Sequence, residues 1–208
     1  MMDQGRSSGL DLNVSRETLL NLQSFLASMQ KWNAVINLVA KSTVVGAWDR
    51  HVLDSAQIYS HAPNDFEHWV DLGTGGGFPG VVVAIMAQEL NPKANFTFVE
   101  SDLRKVAFLR QVVRDLSLRA TVCSDRIESV EALDADVVSA RALASLSDLL
   151  VYVRKHAKPE GIGLLLKGRA YPQEILDAKA RLNFQYVAVP SKLEAGAAIL
   201  KVWSIENV

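Results

Sequence analysis

The apolar side chains Leu19, Leu22, Phe25, Leu26, Met29 and Trp32 recur at helical spacing with polar residues between them, which predicts an amphipathic helix from Ser15 to about Leu38. Trp48, Val52, Ala56 and Tyr59 repeat that spacing and predict a second helix over residues 43–60, broken by Pro63 in "HAPND". After Asp65 the pattern changes. "HWVDL", "NFTFVE", "ATVCS", "ADVVSA" and "IGLLLK" read as buried strands, with helical segments at residues 80–90 and 103–116 among them. Such alternation predicts βαβ units and a parallel sheet covered by helices on both faces. The runs "FQYVAVP" and "AAILKVWSI", joined by a polar loop containing glycine, predict an antiparallel hairpin that closes the sheet. The organisation is therefore a helical N-terminal extension over residues 1–64 packed on an α/β domain over residues 65–208. No internal repeat or low-complexity segment interrupts it.

At 208 residues, 49% hydrophobic and 22% charged, the chain is long and apolar enough for one full core and is not a disordered sequence. A formal net charge of -1 gives no global positive field, so any nucleic-acid binding must use a local patch. The lone Cys123 excludes an internal disulfide framework and a Cys-rich zinc site, and fits a reducing compartment. The start, "MMDQGRSSGLDLN", lacks an apolar leader, and the run "VVVAIMA" is too short to span a bilayer. The expectation is a soluble cytoplasmic protein with no metal and no membrane partner.

The chemistry concentrates in "HWVDLGTGGGFPGVVVAIM", where Asp71 leads into Gly73, Gly75, Gly76, Gly77 and Gly80. In a doubly wound sheet the ligand lies beyond the carboxyl ends of the strands, and the first βα turn must bring backbone close to it. A side chain added at Gly73 is expected to stand against that ligand. Residues 75–80 also meet the spacing of the dinucleotide fingerprint, which keeps a nicotinamide-dependent oxidoreductase open. Asp71 favours S-adenosylmethionine instead, since a carboxylate leading into the turn repels a pyrophosphate but suits an amine or sulfonium. Glu100, ending "NFTFVE", can accept both ribose hydroxyls of either cofactor. In "CSDRIES", where an adenine pocket is expected, Ile127 can pack on the ring and Glu128 or the backbone can bond its edge; a solvated turn is an equal reading.

"KWNAVINL", "RHVLDS", "DLGTGGGFPG", "FVESDLRKVAFL", "DRIE", "VVSARALASL" and "LLLKG" follow one another in this order. With this set the chain resembles the ribosomal RNA small subunit methyltransferase G family, also called glucose-inhibited division protein B, from about Leu22 to Trp203. The resemblance implies a class I S-adenosylmethionine-dependent methyltransferase (Rossmann-like) fold: a mostly parallel seven-stranded sheet with a C-terminal antiparallel hairpin and an N-terminal helical extension. It implies methyl transfer from S-adenosylmethionine to N7 of one guanine in bacterial 16S rRNA, with the rRNA or the small ribosomal subunit as partner; a monomer is expected, though the sequence leaves the oligomeric state open. Carried over by motif, Gly73, Phe78, Ile127, Glu128 and Arg141 are cofactor-binding positions; Asp71, Gly75, Gly77 and Glu100 join them from the chemistry above. Arg141, Lys167 and Arg169 are the candidate RNA contacts. Gly76, Val81 to Val83, and Arg104 in place of a more usual lysine are departures that remove no needed group.

Guanine N7 offers an in-plane lone pair and no proton, so this reaction needs no general base and no catalytic residue is assigned. A pyrimidine-C5 route needs a cysteine nucleophile, and Cys123 reads as a small buried strand residue. Among the basic residues, Arg104, Lys105, Arg110, Arg114 and Arg119 read as a solvated helix face, with Lys155, Lys158, Lys167 and Arg169 in the C-terminal half; Lys167 ends a strand on the ligand side. On the second helix, following Arg50, His51 and Asp54 stand where their side chains meet, which predicts a structural hydrogen bond docking the extension on the sheet. Trp32, Trp48 and Trp69 read as core residues. A non-catalytic RNA-binding or assembly protein of the same fold is a third reading.

Overall fold

The computed structural model describes residues 12–40 and 43–208. Helix α1 (Arg16–Asn33) starts at Ser15, whose hydroxyl accepts the Thr18 N–H, and buries Leu22, Phe25 and Met29. It ends five residues before the expected limit at Leu38. Asn33 Oδ1 accepts the N–H groups of Leu38 (2.8 Å) and Val39 (3.0 Å), so the chain folds back as a strap instead of winding another turn. The second helical segment starts at Trp48, after Gly46 with φ +75°, later than the spacing predicts. Its winding changes along its length: π-helical over Trp48–Leu53, α-helical over Asp54–Ala56 (α2) and 3₁₀ over Gln57–His61.

The α/β part runs β1 (His68–Leu72), α3 (Gly80–Leu90), β2 (Asn95–Val99), α4 (Leu103–Asp115), β3 (Ala120–Cys123), β4 (Ala135–Arg141), α5 (Leu146–His156), β5 (Ala157–Lys167), α6 (Tyr171–Lys179), β6 (Leu182–Pro190) and β7 (Ala198–Asn207). The seven strands lie in the order β3-β2-β1-β4-β5-β7-β6. Neighbours are parallel from β3 to β5, and β7 runs antiparallel to both β5 and β6. The expected hairpin is present, with its second strand inside the sheet and its first at the edge. Helices α5 and α6 add to the segments expected from spacing.

Two apolar layers sandwich the sheet. One packs Leu22, Phe25 and Ile58 of the extension with Val81, Ile85 and Phe108; the other packs Leu146, Leu149, Val153 and Ile175. The extension therefore thickens one face. Strand order reverses between β1 and β4, and the crevice outside their carboxyl ends is where such a sheet places its ligand. Among the described residues no helix is long and apolar enough to cross a membrane.

Candidate active site at the glycine turn

Beyond Leu72 the chain enters positive φ at Gly73 (+62°) and Gly75 (+56°). The Thr74 N–H is held by Val99 O at 3.1 Å, and the Gly75 N–H donates to Glu100 Oε2 at 2.9 Å. Glu100 Oε1 accepts the Asp102 N–H at 2.8 Å. One carboxylate thus fixes the turn to the end of β2 and keeps acceptor capacity on both oxygens, as a ribose diol requires. A Cβ built on Gly75 would meet only Gly73 O at 3.6 Å and Glu100 Oε2 at 4.0 Å, so the space before this backbone is an open cradle. The other glycines of the turn look elsewhere. A Cβ on Gly73 would fall 2.5 Å from Leu143 Cδ1, and one on Gly77 would fall 2.7 Å from Phe25 Cζ. Gly77 serves the docking of α1, and the expectation that a Gly73 side chain would face the ligand gives way to a clash with Leu143.

Asp71 does not face the cavity. Its wholly buried carboxylate accepts Ser139 Oγ–H at 2.6 Å and the Gly80 N–H at 3.2 Å, and Ser139 Oγ in turn accepts Trp69 Nε1–H at 2.8 Å. The first N–H groups of a helix lack intrahelical partners, and Asp71 satisfies one at the start of α3. A Cβ at Gly80 would lie 2.6 Å from Asp71 Oδ2, so glycine is what lets the carboxylate in. Burial pushes this carboxyl up to about 7 against those hydrogen bonds. Through these hydrogen bonds the carboxyl braces the turn from beneath, and its side chain does not reach the cavity.

A cavity of about 890 Å³ opens over the turn, walled by the strap, the second helical segment, the ends of β4 and β5, and the β6–β7 loop. Arg141 stands at its junctions. Its guanidinium lies 5.1 Å from the Phe78 ring centroid, donates through Nη2 to His51 Nδ1 at 3.0 Å and through Nη1 to Arg50 O at 3.2 Å, and pairs with Asp54 at 3.6 Å. His51 and Asp54 consequently meet through Arg141, which corrects the expected His51–Asp54 bond. A guanidinium only donates, so His51 Nδ1 carries a lone pair and Nε2 carries the proton, given to Thr43 Oγ1 at 3.0 Å. Burial, then the charges of Arg141 and Arg50, lower His51 to about 4. Burial raises Asp54, opposed by Arg141.

Other expected positions are placed differently. Ile127 packs in the α5 layer, its carbonyl facing His156 Nε2 at 3.3 Å, while the Glu128 carboxylate bonds Tyr152 Oη; neither side chain lines the cavity. Lys167 does line it, but Nζ is held by Glu174 Oε2 at 2.6 Å and Ala144 O at 3.1 Å, tying β5 to the helices on the far face. Arg169 is exposed at the rim, and its Nε–H donates to Ala195 O at 3.1 Å. On α4, Arg104 and Arg110 bond to Asp102 and Val122 O, and Arg119 just before β3 bonds to Asn95, whereas Lys105 of α4 reaches the cavity wall. Burial and Asp125 raise the Cys123 thiol, the opposite of an activated nucleophile. Gln57 was not foreseen. Its Nε2 donates to Asp54 Oδ1 (2.7 Å) and to Ser191 Oγ (3.3 Å), and its Oε1 accepts the Lys192 N–H (3.2 Å), pinning the β6–β7 loop to the extension. Its position three residues after Asp54 on a helix was the available signal.

The fold is shared with solved methyltransferases: a SAM dependent methyltransferase from Aquifex aeolicus superposes with a TM-score of 0.58 at 12% identity, covering 85% of this chain and 97% of that one. Together with the strand order and the single antiparallel β7, this is the class I, Rossmann-like fold. Among curated proteins, the ribosomal RNA small subunit methyltransferase G of Ruegeria pomeroyi is 46% identical over 197 residues, 95% of this chain and 96% of its own length. Its namesake from Ruegeria sp. strain TM1040 is 44% identical over 207 residues, 100% of both chains. A family model described as rRNA small subunit methyltransferase G matches residues 18–199, and the chain belongs to that family.

Proposed function

We propose that this protein transfers a methyl group from S-adenosylmethionine to N7 of a single guanine in the 16S rRNA of the small ribosomal subunit. The observation that carries the reading is the open cradle before Gly75 beside the Glu100 carboxylate, adjoining a cavity at the β1–β4 crevice with room for a nucleobase. These residues fit the cofactor: the Gly75 backbone leaves room, Glu100 has free acceptor capacity for a ribose diol, and Phe78 and Arg141 close the side next to the cavity. Bound there, S-adenosylmethionine supplies an electrophilic methyl group on a sulfonium. The chain's own task is to hold the guanine, exclude water and move no proton, because N7 presents a bare lone pair. A 7-methylguanine carries positive charge, and the Glu194 carboxylate on the cavity wall is placed to offset it.

The nicotinamide reading fails at Gly80. A pyrophosphate needs the free N–H groups of the first helix N-terminus, and Asp71 already occupies the Gly80 N–H. Labelled S-adenosylmethionine incubated with small subunits lacking the mark tests the proposal, followed by borohydride and aniline cleavage, which cuts RNA at 7-methylguanosine. Label in 16S rRNA with one cut is the expected result. Label without a cut discards N7, and cofactor binding without label on subunits or free rRNA discards the substrate.

A further inference from the structure

The strap after α1, residues 34–40 with Thr43 at its far end, forms one wall of the cavity and is tied at both ends. Asn33 Oδ1 holds the Leu38 and Val39 N–H groups at 2.8 and 3.0 Å. At the other end Thr43 Oγ1–H donates to Ala40 O at 2.7 Å while receiving His51 Nε2–H at 3.0 Å. His51 receives Arg141 Nη2–H at 3.0 Å, and its ring lies 5.0 Å from that of Phe78. Every bond in the series Arg141 to His51 to Thr43 to Ala40 O runs the same way. The direction is set at its origin, because the guanidinium can only donate.

We propose that His51, as its Nε2–H tautomer, is a positioning residue through which Arg141 at the end of β4 sets the strap over the cavity, so that the wall receiving the target base is placed from the cofactor side. The inference rests on the methyl-transfer reading for what the wall receives, though not for the bond series itself. An imidazole does this where other side chains do not: it accepts at one edge and donates at the other across a rigid ring. Protonation or the opposite tautomer would set an N–H against the Arg141 N–H and break the series.

Two measurements decide it. The first is independent of activity: ring ¹H–¹⁵N spectra of the whole protein should show His51 with an unprotonated Nδ1 and a protonated Nε2 at neutral pH. An Nδ1–H tautomer or an imidazolium overturns the proposal. The second uses Thr43→Val, which cuts the series beyond His51 and leaves Arg141–His51 intact. Its KM for the RNA substrate should rise about fivefold to tenfold, the effect of one lost hydrogen bond, with faster amide exchange at Leu38 and Val39. Affinity for S-adenosylhomocysteine should stay within about twofold. His51→Ala combined with Thr43→Val should be no worse than His51→Ala alone, since one series breaks only once, and His51→Gln, with an acceptor and a donor, should restore part of the loss. A Thr43→Val protein that only melts earlier, with KM and strap exchange unchanged, overturns the positioning role. If the wild type transfers no methyl group, the parent reading falls, and the ring spectra and strap exchange still judge the relay.

Discussion

A carboxylate sealed away from water is held by whatever fixed dipoles surround it, and for Asp71 these are the Ser139 hydroxyl and the Gly80 N–H. Its folded value near 7 against 3.8 for the free side chain gives folding a defined pH dependence. Between those values the folded state keeps a proton that the unfolded chain has released, so the stability Asp71 contributes is full below about pH 4 and lost as pH rises through 7. His51 runs the opposite way. Lowered from 6.5 to about 4, its contribution is present above 6.5 and lost as pH falls through 4. The wild-type profile alone mixes the two, and Asp71→Asn separates them. The stability of wild type minus variant in urea melts should grow as pH falls from 7 to 4, by up to about 4 kcal/mol; a flat difference would make Asp71 an ordinary ionised carboxylate. Gly75 gives a second test at this scale. Alanine at its φ of +56° costs about 1–2 kcal/mol of backbone strain and puts a methyl group into the cradle. Calorimetry should then find S-adenosylhomocysteine affinity down at least about tenfold in a folded protein, and unchanged affinity would show that the cradle holds something else.

Helix α1 is where an element far from the sheet reaches the site. Phe25 is 1% exposed, packs at a tilt against Phe78 of the glycine turn (ring centroids 5.2 Å) and stacks on Phe108 of α4 (6.4 Å). Phe25→Ala should therefore cost about 3–5 kcal/mol in denaturant melts and loosen the turn beneath it, weakening cofactor binding as well. A variant with normal stability would mean that α1 is not needed to brace the turn. Element by element, what spacing predicts depends on whether the residue pattern or a distant partner decides. The half-exposed edge strand β3 is legible from its β-branched Thr121 and Val122, whereas β1, β2 and β4 are legible because they are largely buried and read as apolar runs. The hydrophobic start of α3 is legible for the same reason. The end of α1 is not, because apolar residues continue through Val35, Ile36 and Leu38 at workable spacing while Asn33 captures two backbone N–H groups and turns the chain away. The candidate site shows the same division. Motif order brings Gly73, Gly75, Phe78, Glu100 and Arg141 to one crevice, but the facing of each side chain is tertiary. Asp71 turns beneath the helix, Glu128 turns to Tyr152, and Lys167 is spent on Glu174.

At the scale of the whole chain, the extension and the α/β part share one interior. Leu22, Phe25, Met29, Val52 and Ile58 lie in the same buried layer as Trp69, Val81, Ile85 and Phe108, so one of the two apolar faces of the α/β part is closed by the extension. Helix α3 shows why: all residues from Val81 to Ala87 are buried, one side against the sheet and the other beneath the extension. Polar ties cross the same boundary, with Glu89 of α3 accepting the Ser15 N–H (2.9 Å) and Thr18 Oγ1–H (2.6 Å), and Gln57 holding the β6–β7 loop. Two sequence segments that read as extension and domain should then unfold as one cooperative unit. In urea, far-UV circular dichroism and tryptophan fluorescence should trace a single coincident transition. Trp32 and Trp48 report the extension and Trp69 and Trp203 the sheet, so variants retaining only one pair make the comparison direct. An early transition seen only by Trp32 and Trp48 would show the extension to be an independently mobile cap. Coincident transitions would mean that the extension, from which the strap leaves, does not separate from the α/β part as a unit of its own, because separating it would expose the apolar face of α3.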